Sequence, residues 1–210
     1  MNYTLQDVKN VINISAEVAL SLKELLTELD SRSGDGDLGI TMEKSAHALI
    51  IETSKYEGKD IGEFFIKSAM SVNRAAPSTM GTLLSCSIME LGKKFKGSDE
   101  ITCEQIVEIP SIIVDAIMKR GKANRGDKTI LDALIPMADA FQASYNKQNN
   151  LKLALKDAAS AAKKGANKTK GMIAKVGRGK WIGERSRNYP DGGAVLCSKL
   201  IENLAKRCLV

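Results

Sequence analysis

Aromatic residues are scarce: Phe, Trp and Tyr make up 4% of this 210-residue chain. A β-sandwich is hard to fill from so few rings, whereas Leu, Ile, Val, Ala and Met suit a core between packed helices. Histidine is scarcer still. His47 is the only one, set between Ala46 and Ala48 on an expected helix, and it reads as a structural or surface residue. Without it the chain lacks the usual general base, which leaves Ser-His-Asp and Cys-His mechanisms little to stand on. Cys86, Cys103, Cys197 and Cys208 show no C-x-x-C pairing, so the common zinc patterns are missing and inert thiols in a reducing compartment are expected. No G-x-x-x-x-G-K-[ST] segment occurs, which removes the P-loop. Met1 to Lys9 lacks a basic segment followed by an apolar run, so no signal peptide is expected. No stretch approaches the roughly 18 apolar residues of a membrane span. A cytoplasmic protein without membrane contact is therefore expected.

What is present is ordinary for a soluble domain: 43% hydrophobic and 27% charged residues, a length suited to one domain covering 1–210. The net charge of +6 is scattered, and no basic run is interleaved with aromatics. That argues against nucleic acid, yet a positive field still favours a small acidic ligand such as a nucleotide.

Apolar residues recur at helical spacing almost throughout. The pattern predicts eight helices, over 4–29, 40–54, 60–75, 78–95, 102–120, 128–147, 150–175 and 192–208, with boundaries good to about 2–4 residues. Thr4 with Asp7 and Thr102 with Gln105 read as capping boxes, and Asp60 as an N-cap. Pro110 and Pro136 fall inside periodic segments and predict kinks or a break. No period-2 alternation suggests a strand. Four connections are rich in glycine and charge: 30–39, 73–81, 121–127 and 177–193.

The first has the sharpest signal, Asp30-Ser-Arg-Ser-Gly-Asp35-Gly-Asp37-Leu-Gly39. Gly34, Gly36 and Gly39 free the backbone to fold Asp35 and Asp37 back toward Asp30. Converging carboxylates repel unless a cation joins them, and Mg²⁺ or Ca²⁺ both take oxygen ligands. The EF-hand pattern fails for want of its Glu at loop position 12. The same residues also suit a solvated turn. In the second loop Pro77 stops one helix and Ser78 or Thr79 caps the next, leaving free N–H groups for an anion or simply capping the helix. In the third, Arg120-Gly-Lys-Ala-Asn-Arg-Gly-Asp-Lys-Thr129 could hold phosphate or a base edge, or could be a Gly C-cap followed by an Asp127 N-cap. The fourth carries Arg178, whose guanidinium matches paired oxygens, the only Trp (Trp181), and Asp191-Gly192-Gly193 at the start of the last helix.

Taken in order, Gly34-Asp35-Gly36-Asp37-x-Gly39, Gly81-Thr82, Arg120-Gly121-Lys122-Ala123…Gly126-Asp127-Lys128-Thr129 and Gly177-Arg178…Gly183-Glu184-Arg185-Ser186…Asp191-x-Gly193 resemble the nucleotide-binding (L) subunit of dihydroxyacetone kinase, over nearly the whole chain. The resemblance implies an all-α, antiparallel closed barrel or bundle of eight helices with a nucleotide across the loops at one end. It places two Mg²⁺ on Asp30, Asp35 and Asp37. It puts ADP or ATP against Leu38, Gly39, Thr41, Ala76, Ser78, Thr79, Gly121, Ile130, Arg178 and Asp191, with Ile130 beside the adenine and Arg178 as the catalytic cation. Three departures accompany it: Leu38 where members often have His, Ala-Ala-Pro-Ser-Thr-Met over 75–80 in place of Ala-Ser-Gly-Pro-Leu-aromatic, and Gly192 in place of Pro.

The implied activity is phosphoryl transfer to dihydroxyacetone or a related short ketose held covalently on a histidine of a separate K subunit. The implied donor is a phosphohistidine protein of the phosphoenolpyruvate-dependent phosphotransferase system, recharging bound ADP. The alternatives are a non-catalytic nucleotide-binding regulator and a plain helical metal-binding domain. A homodimer is left open.

Overall fold

The computed structural model describes residues 2–208; Met1, Leu209 and Val210 lie outside them. Ten α-helices dominate: α1 (Leu5–Ser21), α2 (Lys23–Ser33), α3 (Leu38–Lys55), α4 (Ile61–Ala75), α5 (Thr79–Lys94), α6 (Cys103–Gly121), α7 (Leu131–Gln148), α8 (Leu151–Thr169), the short α9 (Gly179–Ile182) and α10 (Gly192–Arg207). The all-α class expected from the sequence is what the chain adopts. Eight of the helices close a ring. Along it α1 packs on α3, then α4, α5, α6, α7, α8 and α10 follow in turn, and α10 returns to α1. No helix among the described residues is long and apolar enough to cross a membrane.

Local chemistry sets most of the ends. Thr4 accepts from the Asp7 N–H and Asp7 returns the bond to the Thr4 N–H; Thr102 and Gln105 do the same for α6. Asp60, Ser78, Asn150 and Asp191 cap α4, α5, α8 and α10 through their side chains. Each such cap contributes about 1 kcal/mol.

The count of eight helices needs correction. The stretch 4–29 is divided at Leu22, whose N–H is shared between the Val18 and Ala19 carbonyls (3.2 Å each), and α2 then runs on to Ser33. The stretch 150–175 ends at Thr169, where Gly171 turns left-handed (φ 98°), although apolar Met172, Ala174 and Val176 follow. The 177–193 loop contains α9 and a 3-10 turn at Gly183–Asn188. The prolines do not divide α6 or α7. Two three-residue strands also occur, β1 (Asn2–Thr4) and β2 (Glu100–Thr102), paired antiparallel with Tyr3 opposite Ile101. They are too short for alternation to reveal them, and each runs straight into a capped helix.

Three clusters fill the interior. Tyr56, Phe64, Phe65 and Phe95 pack in a tilted series, with ring centroids 5.5, 5.8 and 6.3 Å apart, while Phe141 and Tyr145 serve a second cluster. Ala154, Ala158, Ala162 and Ala166 form a buried stripe along α8 that lets α7 and α10 approach closely. Ala16, Ala19, Leu26, Leu38, Met42, Ala46 and Leu196 join α1, α2, α3 and α10 just below the acidic loop.

Because successive ring helices alternate in direction, their connections fall alternately at two ends. The 34–37, 76–78, 122–130 and 170–191 connections share one end; β1, β2 and the 56–60 and 149–150 turns share the other.

Candidate functional site

The acidic loop is shaped from α2 outward. The Gly34 N–H donates to the Asp30 carbonyl (2.5 Å), and any Cβ at Gly34 would run into the Asp30 carboxylate. Gly36 is left-handed (φ 79°) and reverses the chain. Asp37 occupies the N-cap position of α3 but makes no cap hydrogen bond with its side chain. Instead Asp30 accepts from the Leu38 N–H (3.2 Å), fixing α3 to the end of α2. Gly39 is required a turn later: a Cβ there would overlap the Thr27 hydroxyl and the Lys23 carbonyl.

The result brings one carboxylate oxygen each from Asp30, Asp35 and Asp37 within 4.8 Å of one another. Burial, and next the charge of Asp30, raises the Asp37 carboxyl above its ordinary range. An all-oxygen, anionic and mutually repelling donor set fits a hard divalent cation. Arg178 pairs with Asp35 from across the cleft.

The second loop sits behind this cluster. Ser78 accepts from the Gly81 N–H (3.1 Å) and from the Thr41 hydroxyl (3.0 Å), tying the start of α5 to α3. Gly81 abuts the carbonyl of buried Ala76, which leaves no room for a Cβ.

The third loop does not use Asp127 as a helix cap. Asp127 accepts from the Asn124 N–H (2.7 Å), while Asp132, inside α7, accepts from the Gly126 (2.6 Å) and Thr129 (2.8 Å) N–H groups. Lys128, left-handed at φ 60° and 4% exposed, donates to the carbonyls of Thr169 (2.8 Å), Ser186 (2.8 Å) and Tyr189 (2.7 Å). Burial lowers its pKa, opposed by the charges of Asp191 and Asp132.

The fourth loop folds over the end of α2. Arg32 stacks on Tyr189, its guanidinium carbon 4.6 Å from the ring centroid. Ser186 is fully buried and accepts from the Ala174 N–H (3.2 Å). Asp191 caps α10 through the Ala194 N–H (2.7 Å), and its own N–H donates to Thr169 Oγ1 (2.8 Å). Asp191 keeps part of its surface open to the cleft, yet protein crowds its carboxyl, and that burial pushes the pKa up to about 6. Gly192 and Gly193 let α10 approach Leu38, Met80 and Ile130, where side chains would crowd.

Together the loops line a cleft of about 350 Å³. Asp30, Asp35, Asp37, Arg178 and Asp191 give one end its charge; Leu83, Ile117, Ala123 and Ile130 make another part apolar. Leu38, Thr79 and Gly121 also line it, whereas Gly39, Thr41, Ala76 and Ser78 lie behind the wall and hold it in place. Sequence reasoning gave no role to Lys128, Asp132 or Thr169. The Gly126-Asp127-Lys128-Thr129 turn was conspicuous, but nothing local announces that a lysine will end among three distant carbonyls.

Residues 32–206 match the model of the DAK2 domain. Along nearly its whole length the chain is similar to the PEP-dependent dihydroxyacetone kinase, ADP-binding subunit DhaL, of Escherichia coli K12: 26% identity over 205 residues, 98% of either chain. It is 31% identical over 192 residues to a putative 3,4-dihydroxy-2-butanone kinase of Solanum lycopersicum, covering 90% of this chain and 32% of that one. The fold matches the crystal structure of the dihydroxyacetone kinase of C. freundii in its native form, with a TM-score of 0.73 at 22% identity, over 95% of this chain and 34% of that one. The same kinase in complex with AMP-PNP and Mg²⁺ matches at a TM-score of 0.72. The chain thus spans about a third of the length of the longer kinases and all but the whole of the separate ADP-binding subunit. With the DAK2 model covering most of its length, and with the helical ring those kinases share, this chain belongs to the DAK2 domain family.

Proposed function

We propose that the chain, read as one domain over 1–210, is a cytoplasmic kinase subunit that holds an adenine nucleotide in this cleft. It would pass phosphate to dihydroxyacetone or a related short ketose held on a separate K subunit. The observation that carries this is the convergence of Asp30, Asp35 and Asp37 at the charged end of a cleft that is apolar further along. The names of its relatives, an ADP-binding subunit and several small-ketose kinases, support the substrate class. The similarity to a separate PEP-dependent subunit favours a phosphohistidine protein as donor over exchange with free ATP.

In this proposal Asp30, Asp35 and Asp37 hold two Mg²⁺. The ions supply positive charge against the phosphates. The chain's own residues do the rest. Ile130, with Leu83 and Ile117, offers apolar surface to the base. Thr79, Gly121 and Asp191 also line the cleft, and Thr41, Ser78, Ala76 and Gly39 fix the loops behind it. Arg178 faces the acidic cluster from the opposite wall, where a guanidinium can stabilise charge on a phosphoryl group in flight. Leu38 brings no polar contact, so orientation falls to the other residues.

Calorimetric titration of ADP with Mg²⁺, paired with a transfer assay including K subunit and donor, tests this. Asp30→Ala should abolish Mg²⁺-dependent binding and transfer. Arg178→Ala should keep ADP affinity within a few-fold while transfer falls on the order of 10²-fold or more. Transfer surviving Asp30→Ala would sink the kinase assignment. Tight ADP binding without engagement of any K subunit would favour a regulatory role instead.

A further inference from the structure

The segment from Thr169 to Asp191 carries Arg178 and is long for a connection in a helical ring. Gly171, Gly177 and Gly183 are all left-handed within it, and no atom lies within 4 Å of where their Cβ would be, so little side-chain packing restrains those points. Its exposed tip is Trp181, at 88%. Yet the ends of the segment are fixed. Thr169, Ser186 and Tyr189, spread over 20 residues, all point a carbonyl at Lys128 Nζ. An ammonium has three hydrogens, and these three bonds use them all. The rest of the knot is built on the same groups: Ser186 Oγ accepts from the Ala174 N–H and donates to the Gly183 carbonyl, and the Gly171 N–H donates to the Arg187 carbonyl (2.9 Å).

We propose that Lys128 is a positioning residue for phosphoryl transfer: its buried ammonium, bound to the Thr169, Ser186 and Tyr189 carbonyls, sets the shape of the 170–191 loop and so the place of Arg178. Lys128 borders the cleft, and a lysine there invites assignment as a phosphate ligand. The geometry points elsewhere, because no ammonium N–H of Lys128 is left for a ligand. Met in its place would strand all three carbonyls and Gln, with two N–H donors, at least one, and each bond is worth more to a charged donor than to a neutral one. The loop would then sample positions in which Arg178 is away from the cleft. Nucleotide affinity would change little, since the acidic residues stand at the end of α2 and in the 34–37 turn, and Leu83 and Ile117 of the apolar wall stand on α5 and α6.

Trp181 is the only tryptophan in the chain and lies three residues from Arg178, so it reports on this loop alone. Time-resolved anisotropy of Trp181 and limited trypsin cleavage within 175–187 are compared for wild type, Lys128→Met and Lys128→Gln, with far-ultraviolet dichroism as control. Both variants should show a larger fast depolarisation and at least tenfold faster cleavage, with helical content unchanged. Unchanged anisotropy and cleavage in the variants overturn the proposal. Should Lys128→Met lose its helical signal, the same measurements on Lys128→Gln decide. The kinetic arm rests on the kinase assignment above: kcat should fall about tenfold or more with the Kd for ADP within twofold. In an Arg178→Ala background the same substitution should have almost no further effect on kcat. A risen Kd for ADP with unchanged kcat, or full additivity with Arg178→Ala, refutes action through Arg178. A loosened loop in a chain that transfers no phosphate with any K subunit would leave the positioning of the loop intact and sink the kinase assignment instead.

Discussion

Replacing Asp37 by Asn should make the metal-free protein more stable and the metal-bound protein less so. Asp37 lies within 4.8 Å of both Asp30 and Asp35. At that separation two unit charges interact by about 1 kcal/mol in water and about 3.5 kcal/mol at an effective dielectric of 20. Asp35 is compensated by Arg178, so the repulsion felt by Asp37 comes chiefly from Asp30. Both carboxylates are only half-buried, which favours the lower figure. The N-terminus of α3 offsets part of it, by about 0.3–1 kcal/mol. The Asp37 side chain makes no cap hydrogen bond, so the substitution loses none. A net gain of about 0–0.7 kcal/mol remains, or a rise in Tm of at most about 2 °C for a chain of this size. With Mg²⁺ and ADP at about 100 times Kd, the wild type gains about 2.7 kcal/mol, and the variant, one ligand short, should gain much less. The two melting curves should therefore exchange order between EDTA and Mg²⁺–ADP in a scanning-fluorimetry or calorimetric series. If Asp37→Asn melts below wild type in EDTA, the three carboxylates are not in conflict. If its Mg²⁺–ADP shift equals that of wild type, Asp37 is not a ligand.

Two further substitutions probe the frame around the site. Gly39→Ala must push α3 from α2, since Thr27 and the Lys23 carbonyl occupy the space; overpacking of this kind costs about 1–3 kcal/mol, measured by urea denaturation, and a neutral result would show that the two helices slide freely. Asp191 titrates at about 6 in the fold against 3.8 as its ordinary value. The folded state therefore binds the proton more tightly, and stability from this group falls as pH rises from about 4 through 6 and levels off above. Asp191→Asn keeps an N-cap residue without the titration, so the Tm of wild type minus that of the variant should decline between pH 4 and 7; a flat difference would mean that water reaches the carboxyl.

How far the sequence foretold this depends on the range of the interaction. Helix starts were legible because a cap lies within three residues: Thr4–Asp7, Asp60, Ser78 and Thr102–Gln105 all act as their spacing implies. The acidic loop was legible because Asp30, Asp35 and Asp37 span one turn with glycines between. The break at Leu22 was not, since neither glycine nor proline marks it. The end of α8 at Thr169 was hidden by apolar residues that go on to pack in the loop. The work of Lys128 was least visible, because its partners lie 41 to 61 residues away and are backbone carbonyls, which carry no side-chain identity.

The alternation of helix direction has a consequence for attachment. Asn2 and Arg207 both emerge at the end marked by β1 and β2, away from the cleft. The 19-residue α6 runs the height of the ring, roughly 28 Å at 1.5 Å per residue. A flexible tether fixed to either end would need about nine fully extended residues merely to climb that wall. Cargo joined by a shorter linker stays on the far side, and the cleft keeps an open approach for whatever docks there.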